Sequence, residues 1–303
     1  MRILVTGSQG TLGIPLVAEL RKRGHRVTGA DLYHGIGEIR ADVSESRQVE
    51  RVFSEIQPDI CYHLAAEFGR VNGQRYYEQL WRTNCLGTRN VIESCIAHRT
   101  RLIFASSSEA YGSLADEGIL EEFRLDSEVP RFHNEYALTK WTNEQQIKTA
   151  IKNDGLKATI LRFFNVYGPG EKYSDYRSVI CLFIYRLMKG IPVKVFTKTT
   201  RSFLYVDDWT HAVANTCERE LPNGEAYNIA SAQERNLLDV YHLVSQAVGK
   251  TTSAYLTDNE KMNIAIKKAS VVKAHEALGL HESVTLVEGI LRTVEWMRLT
   301  YGS

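Results

Sequence analysis

No run of apolar residues in the 303-residue chain is long enough to cross a membrane. The longest, VICLFIY at 179–185, stops at Arg186. The opening residues, MRILVTG, pass straight into a strand pattern, with no basic segment, apolar leader or cleavage site. Cysteine is sparse. Five residues, Cys61, Cys85, Cys95, Cys181 and Cys217, are scattered and form no CxxC pair. An odd, dispersed set of this kind is expected to stay reduced and to pack as small buried side chains. Net charge is only +1, which gives no reason to expect a nucleic acid or another polyanion as partner. Internal repeats and low-complexity segments are lacking too. These absences leave a cytoplasmic globular protein with no membrane contact and no structural metal. A composition of 44% hydrophobic and 24% charged residues agrees with that class.

What is present is alternation. Short β-branched runs at 2–6, 26–30, 59–64, 101–106 and 158–163 read as strands. Amphipathic stretches near 11–24, 46–56, 78–98 and 134–153 read as the helices between them. Strand–helix alternation predicts a parallel sheet covered on both faces, an α/β doubly wound Rossmann fold. After residue 165 the rhythm changes. NVYGPGEKYSDYR at 165–177 reads as loop, 178–189 as helix and PVKVF at 192–196 as strand. FLYVDDWTHAVANTCER reads as a strand end, an N-cap at Asp207 or Asp208, and a helix. The expected division is a dinucleotide-binding domain over 1–165, completed by 203–230. A smaller substrate-binding region would be built from 166–202 and 231–303.

VTGSQGTLG follows the first strand and opens the first helix. Gly7 permits a tight turn, Gly10 lets backbone approach a pyrophosphate, and Gly13 lets the helix pack closely. The helix N-terminus then offers N–H groups and positive dipole to phosphates. Gln9, Thr11 and Leu12, between the glycines, are counted with this cofactor site. Asp31 closes the second strand, where an acid holds a ribose 2′-hydroxyl and disfavours a 2′-phosphate; the expected cofactor is NAD. Asp42 is read either as a contact to the adenine edge or as a cap for helix 46–56. Val43 beside it, and Leu64, Ala65 and Ala66 at the end of the next strand, complete the cofactor candidates. Small residues there let a cofactor lie across the sheet edge; Ala65 serves equally well as core packing.

YALTK places Tyr136 and Lys140 four residues apart on one helix face. An ammonium near a phenol stabilises the phenolate, which is expected to bring the Tyr136 pKa down toward the range of a general base. With the motifs TGSQGTLG, HLAA, TNCLGTRNVIE, SSSEAYG, YALTK, RFFNVYGPG and RSFLYVDD in order over positions 6–208, the sequence resembles the extended short-chain dehydrogenase/reductase family. The resemblance is strongest to the NAD-dependent nucleotide-sugar epimerases, dehydratases and decarboxylases. It implies a Ser/Thr–Tyr–Lys site. Ser107 would supply the hydroxyl at the sugar C4 oxygen, Tyr136 the base, and Lys140 the contact to the nicotinamide ribose. Asn84 matches a position near the cofactor and the tyrosine. Asn165 and Arg201 match positions near the substrate diphosphate, with Arg177 as a further phosphate candidate, while Glu67 and Arg70 lie in a segment that reads either as bordering the sugar or, at least as readily, as core or dimer contact. The pair of helices at 78–98 and 134–153 resembles the family's homodimer interface.

Members of this family oxidise C4 and then diverge. Ser107-Ser108-Glu109 resembles the Thr-Ser-Glu string of dehydratases and decarboxylases, in which the glutamate abstracts the C5 proton of a dehydratase substrate. Ser108 stands where dTDP-glucose dehydratases carry an acid for the leaving water. The expected activity is a nucleoside-diphosphate-sugar 4,6-dehydratase with Ser107, Ser108, Glu109, Tyr136 and Lys140 as the catalytic set. The alternatives are a 4-epimerase or a uronic acid decarboxylase on the same scaffold and, in another class, a non-catalytic NAD-binding sensor. The other reading of Glu109 is a solvated charge at a strand end, the less favoured of the two.

Overall fold

The computed structural model describes residues 1–33, 35, 37–258 and 265–302, with the backbone alone at 70–72. The first half runs β1 (Arg2–Thr6), α1 (Gly13–Lys22), β2 (Arg26–Asp31), β3 (Ile39–Arg40), α2 (Ser46–Ile56) and β4 (Ile60–His63). It continues through α3 (Arg70–Arg75), α4 (Tyr77–Trp81), α5 (Gly87–Ala97) and β5 (Arg101–Ser107). Next come β6 (Ile119–Leu120), α6 (Arg124–Ser127), α7 (Glu135–Asp154), β7 (Ala158–Phe163) and β8 (Asn165–Tyr167). The second half holds α8 (Val179–Met188), β9 (Val193–Phe196), β10 (Thr200–Tyr205), α9 (Val206–Asn215), β11 (Ala226–Ile229) and β12 (Glu234–Asn236). It ends with α10 (Leu237–Val248), β13 (Ala254–Thr257), β14 (Lys268–Ala269), α11 (Val272–Leu278) and α12 (Leu286–Tyr301).

Seven strands pair in parallel in the order β11-β7-β5-β4-β1-β2-β3. The order reverses between β1 and β4, and the crevice outside their carboxyl ends is where such a sheet takes a ligand. Both faces are covered, so successive side chains are buried in opposite directions. Ile3 and Val5 pack with Leu16, Leu20 and Trp209 under α1 and α9, whereas Leu4 packs with Phe53, Val91, Phe104 and Ile147 under α2, α5 and α7. A separate core gathers Tyr167, Ile184, Val195, Val240 and Val294 from the later elements. Beside it, β8 and β12 flank β10 in a three-stranded sheet.

Three local expectations need correction. The stretch 78–98 is not one uniform helix. Between α4 and α5, Arg82–Leu86 widens into a π turn, a feature that often re-aims a side chain at functional sites. The loop expected at 165–177 begins with β8, because Asn165–Tyr167 find backbone partners in Phe203–Tyr205. Neither Asp207 nor Asp208 caps α9: Tyr205 stands at the cap and both acids lie in the first turn. The Asp208 carboxylate instead accepts the N–H groups of Ser283 and Val284, at 3.1 and 3.2 Å, and ties α9 to the segment before α12.

Helix α7 carries a polar stripe into the protein. Lys140, Asn143 and Glu144 are buried, and each has partners. Asn143 donates to the Asn84 carbonyl at 2.9 Å. Glu144 accepts Arg162 Nε at 3.0 Å and Nη2 at 2.8 Å, with both side chains inaccessible to solvent. The Ser106 hydroxyl donates to the same carboxylate at 2.5 Å, and Arg162 Nη1 reaches the Tyr111 hydroxyl at 2.9 Å. Tyr111 in turn donates to Asn228 at 2.8 Å. One network thus fixes β5, β7, β11 and α7 against each other. Removing one member leaves a buried charge without its partner. Glu144→Ala is expected to cost about 3–5 kcal/mol in urea unfolding; a loss under about 1 kcal/mol would contradict this account.

Candidate active site

The glycine loop is shaped by what cannot fit into it. Gly7 has φ +71°, and a Cβ there would lie 2.7 Å from the Ala65 nitrogen. A Cβ on Gly13 would lie 2.1 Å from the Gly7 carbonyl oxygen, so Gly13 closes the loop on itself as well as packing the helix. At Gly10 the nearest atom to such a Cβ is the Gly7 carbonyl at 3.2 Å. Helix α1 has no side-chain cap and no acid in its first turn, leaving a positive end for phosphates. Asp31 accepts the Gln9 N–H at 2.9 Å and the Tyr33 N–H at 3.0 Å, which places its carboxylate at the rim of this loop. The turn, the bare helix end and the acid beside it suit a dinucleotide.

Glu38 was not anticipated. It accepts the Ser8 hydroxyl and the Gln9 amide, both at 2.6 Å, and so puts a second carboxylate under the loop. Nothing in its sequence spacing marks it. Asp42 takes the Ser44 N–H at 2.8 Å, forming a turn ahead of α2, while Glu45 holds the cap position. Val43 is buried and wedges against Gly87, where a Cβ would meet it at 2.8 Å.

Across the crevice, Thr6, His63 and Thr88 form a chain of hydrogen bonds, 2.7 Å from Thr6 to His63 and 3.1 Å from His63 to Thr88. Burial, and after it the charge of Lys140, holds His63 down to about 3, so it is neutral. Leu64 N–H bonds the Thr6 carbonyl at 3.1 Å, and Ala65 lies against Gly7. Asn84, in the π turn, accepts the Glu67 N–H at 2.8 Å and donates to the Glu67 carbonyl at 3.0 Å and to Thr139 at 3.1 Å. It therefore clamps the segment after Ala66 to α7.

Ser107, Tyr136, Lys140 and Glu109 are brought together at the end of β5. Ser107 is buried, accepts the Glu109 N–H at 3.2 Å and lies close enough to Tyr136 to oppose the rise of its pKa. Asn134, the N-cap of α7, accepts the Ala137 N–H at 2.9 Å and so starts the helix one turn before Lys140. Lys140 donates to the Ala105 carbonyl at 2.7 Å and lies 5.8 Å from the centre of the Tyr136 ring. The expected lowering of the phenol pKa is not found in this arrangement. Burial pushes Tyr136 up to about 12, against the Ser107 hydroxyl and with the help of the nearby Glu109 charge. The Lys140 ammonium is spent on Ala105. Burial also lowers Lys140 itself to about 8, opposed by Cys85 and Glu144.

Glu109 is not a solvated strand-end charge. It forms an ion pair with Lys267, which is itself 3% exposed, and accepts the Asn134 amide at 3.2 Å. Lys267 is the functional-site candidate the sequence hid: of two adjacent lysines, 267 is buried and 268 exposed, and only strand pairing decides which. Ser108 is buried in the turn after β5. Arg201 is buried and donates to the carbonyls of Thr200 and Ala265, at 2.6 and 2.9 Å. Asn165 donates to the Ser202 carbonyl at 3.1 Å. Arg177 lies over the Phe68 ring at 4.2 Å, and its buried Nε has no acceptor among the described residues. The side chain of Arg70 lies outside the described residues. Among those described, one trio has metal-ligand spacing, His25, Cys217 and Glu218. Arg23, 3.2 Å from Glu218, already supplies the positive charge there.

Residues 3–230 match the NAD dependent epimerase/dehydratase family. Over 98% of this chain and 98% of the relative, the sequence is 31% identical to a UDP-N-acetyl-alpha-D-glucosaminuronate decarboxylase of Bacillus cytotoxicus. The fold is similar to that of a UDP-glucose 4-epimerase of Thermus thermophilus in complex with NAD, with a TM-score of 0.87, 28% identity, and 98% and 99% of the two chains covered. It is similar also to MoeE5 in complex with UDP-glucuronic acid and NAD, with a TM-score of 0.88, 27% identity, and 99% and 100% covered.

The Lys140 shift has a testable sign. A lysine held down to about 8 costs stability while it is charged. That cost is fully present below about 8 and is relieved as pH rises toward the ordinary 10.5, because the unfolded chain then binds more protons. The stability of the protein relative to Lys140→Met is expected to rise across that window in urea unfolding. A difference that stays flat with pH would contradict it.

Proposed function

The chain belongs to the NAD dependent epimerase/dehydratase family, and on that premise we propose that it decarboxylates a UDP-linked hexuronic acid. The observation that carries this reading is the Glu109–Lys267 ion pair beside Tyr136. A carboxylate in contact with an ammonium is a weaker base. A 4,6-dehydratase, the activity first expected from Ser107-Ser108-Glu109, needs Glu109 to pull a proton from C5. A decarboxylase does not, because C5 receives its electron pair from the C5–C6 bond. Ser108 does not separate the two, since the Thr-Ser-Glu string it fits belongs to dehydratases and decarboxylases alike. Among the relatives, one is named for decarboxylation of a UDP-linked hexuronate and another for 4-epimerisation of UDP-glucose; the first supports this reading.

The residues divide the work as follows. NAD, at the glycine loop beside Asp31, supplies the hydride acceptor for C4. Tyr136 takes the proton of the C4 hydroxyl, and the Ser107 hydroxyl hydrogen-bonds the same oxygen. The resulting 4-ketone lies β to the C6 carboxylate. Loss of CO2 breaks C5–C6 and leaves the electron pair in an enolate whose negative oxygen faces Ser107. A proton then returns to C5. Burial works against the first of these steps, because a phenol pushed up to about 12 is protonated. The positive charge of a bound nicotinamide beside it would favour the phenolate that takes the C4 proton, and the same group gives that proton back when C4 is reduced. Lys140, fixed by Ala105, bonds the nicotinamide ribose. Arg177, Arg201 and Asn165 face the diphosphate, and Glu67 borders the sugar. Residues 1–165 with 203–230 hold the cofactor, and the rest holds the substrate. Exposed Tyr77 and Leu86 flank a shallow groove between α4–α5 and α7, which supports a homodimer formed through these helices. No helix among the described residues is long and apolar enough to cross a membrane, and we place the enzyme in the cytoplasm.

The protein with NAD is to be incubated with UDP-glucuronate, UDP-N-acetylglucosaminuronate and UDP-glucose, and the products weighed by mass spectrometry. Loss of the mass of CO2 from a hexuronate is expected. Loss of water from UDP-glucose would make the protein a dehydratase, and turnover without mass change an epimerase. Tyr136→Phe is expected to slow C4 oxidation by roughly 10²–10⁴-fold.

A further inference from the structure

Segment 265–267 passes between the two halves of the site. Its Ala265 carbonyl accepts Arg201, Ile266 bridges Thr200, and Lys267 reaches Glu109. The pairing of β14 with β6 holds Lys267 inward and leaves Lys268 outside. Burying a lysine beside a reaction centre is costly unless its charge is used. Glu109 lies close enough to Tyr136 to raise its pKa, so the pair sits next to the group that reacts at C4. In a hexose, C6 hangs on the carbon adjacent to C4. A side chain beside the C4 base therefore meets whatever C6 carries.

We propose that Lys267 is the residue that admits a carboxylate at C6, acting as a specificity determinant for hexuronates over neutral hexoses. This rests on the hexuronate reading above and names the charge arithmetic behind it. Glu109 alone would present a negative charge to an incoming carboxylate and repel it. With Lys267 the pair is neutral as a unit, and the ammonium can bond both carboxylates at once. Lys267 takes no part in moving the C4 proton, so its effect falls on binding.

The test measures binding of UDP-glucuronate and UDP-glucose by calorimetry, with NAD bound, in a Tyr136→Phe background that prevents turnover. Adding Lys267→Met is expected to lower the preference for UDP-glucuronate over UDP-glucose on the order of a hundredfold. Lys267→Arg should keep it. Glu109→Gln, which leaves the ammonium in place, should increase the preference. The double variant Glu109→Gln/Lys267→Met should return toward the parent, because both charges have gone. An unchanged preference in Lys267→Met, or a fall in Glu109→Gln, would overturn the proposal. Because Glu109→Gln and Lys267→Arg are read separately, the test survives a Lys267→Met that does not fold. Binding is scored without turnover, so a product analysis showing epimerisation would remove the decarboxylase reading and leave this one standing.

Discussion

The buried ion pair of Arg162 and Glu144 holds the site in register. One end is on β7 and the other on α7, and Ser106 of β5 joins the same carboxylate. Ser107 is the next residue on that strand, and Lys140 lies one helical turn before Glu144. The distance between the Ser107 hydroxyl and the Tyr136–Lys140 face is therefore set by a bidentate contact that solvent does not reach. Such a pair adds little net stability compared with apolar packing, but it penalises any other arrangement of its elements. Tyr111 and Asn228 extend the constraint to the outermost strand of the sheet.

Around this frame the site is built from opposed electrostatic effects. Burial, with the Glu109 charge beside it, keeps Tyr136 protonated, and burial makes the Lys140 charge expensive. His63 is held neutral between two threonines. Glu109, which would otherwise add negative charge beside a phenol, is offset by Lys267. On the proposed reading, the same offset weakens Glu109 as a base and makes room for a second carboxylate. One pair thus bears on both the reaction and the substrate.

Much of this was legible in the sequence. The glycine spacing, the acid ending β2, the Tyr136–Lys140 spacing and the strand–helix alternation each reflect a local constraint, and each was found in place. The π turn at Arg82–Leu86 was not legible, because one extra residue in a helical turn leaves no compositional mark. Lys267 and Glu38 were hidden for another reason. Both approach the site from short strands or loops distant in sequence, and burial of a lysine depends on a register that only tertiary pairing sets. The polar stripe of α7 runs against apolar periodicity, since Asn143 and Glu144 earn burial through partners on other elements. Asp208 misled in the opposite way: an acid at a helix start reads as a cap, yet its carboxylate serves a chain segment some seventy-five residues away.

The central claim is that C5 gains its electron pair from the C5–C6 bond and never loses its own hydrogen to Glu109. Turnover of a UDP-hexuronate in heavy water, followed by NMR, tests it most directly. The account predicts a UDP-pentose whose C5 keeps the substrate hydrogen and carries one solvent deuterium, with no deuterium in the substrate left over. Deuterium at C5 of recovered substrate, or two deuterons at C5 of the product, would show that Glu109 or another base removes the C5 proton and would contradict the account.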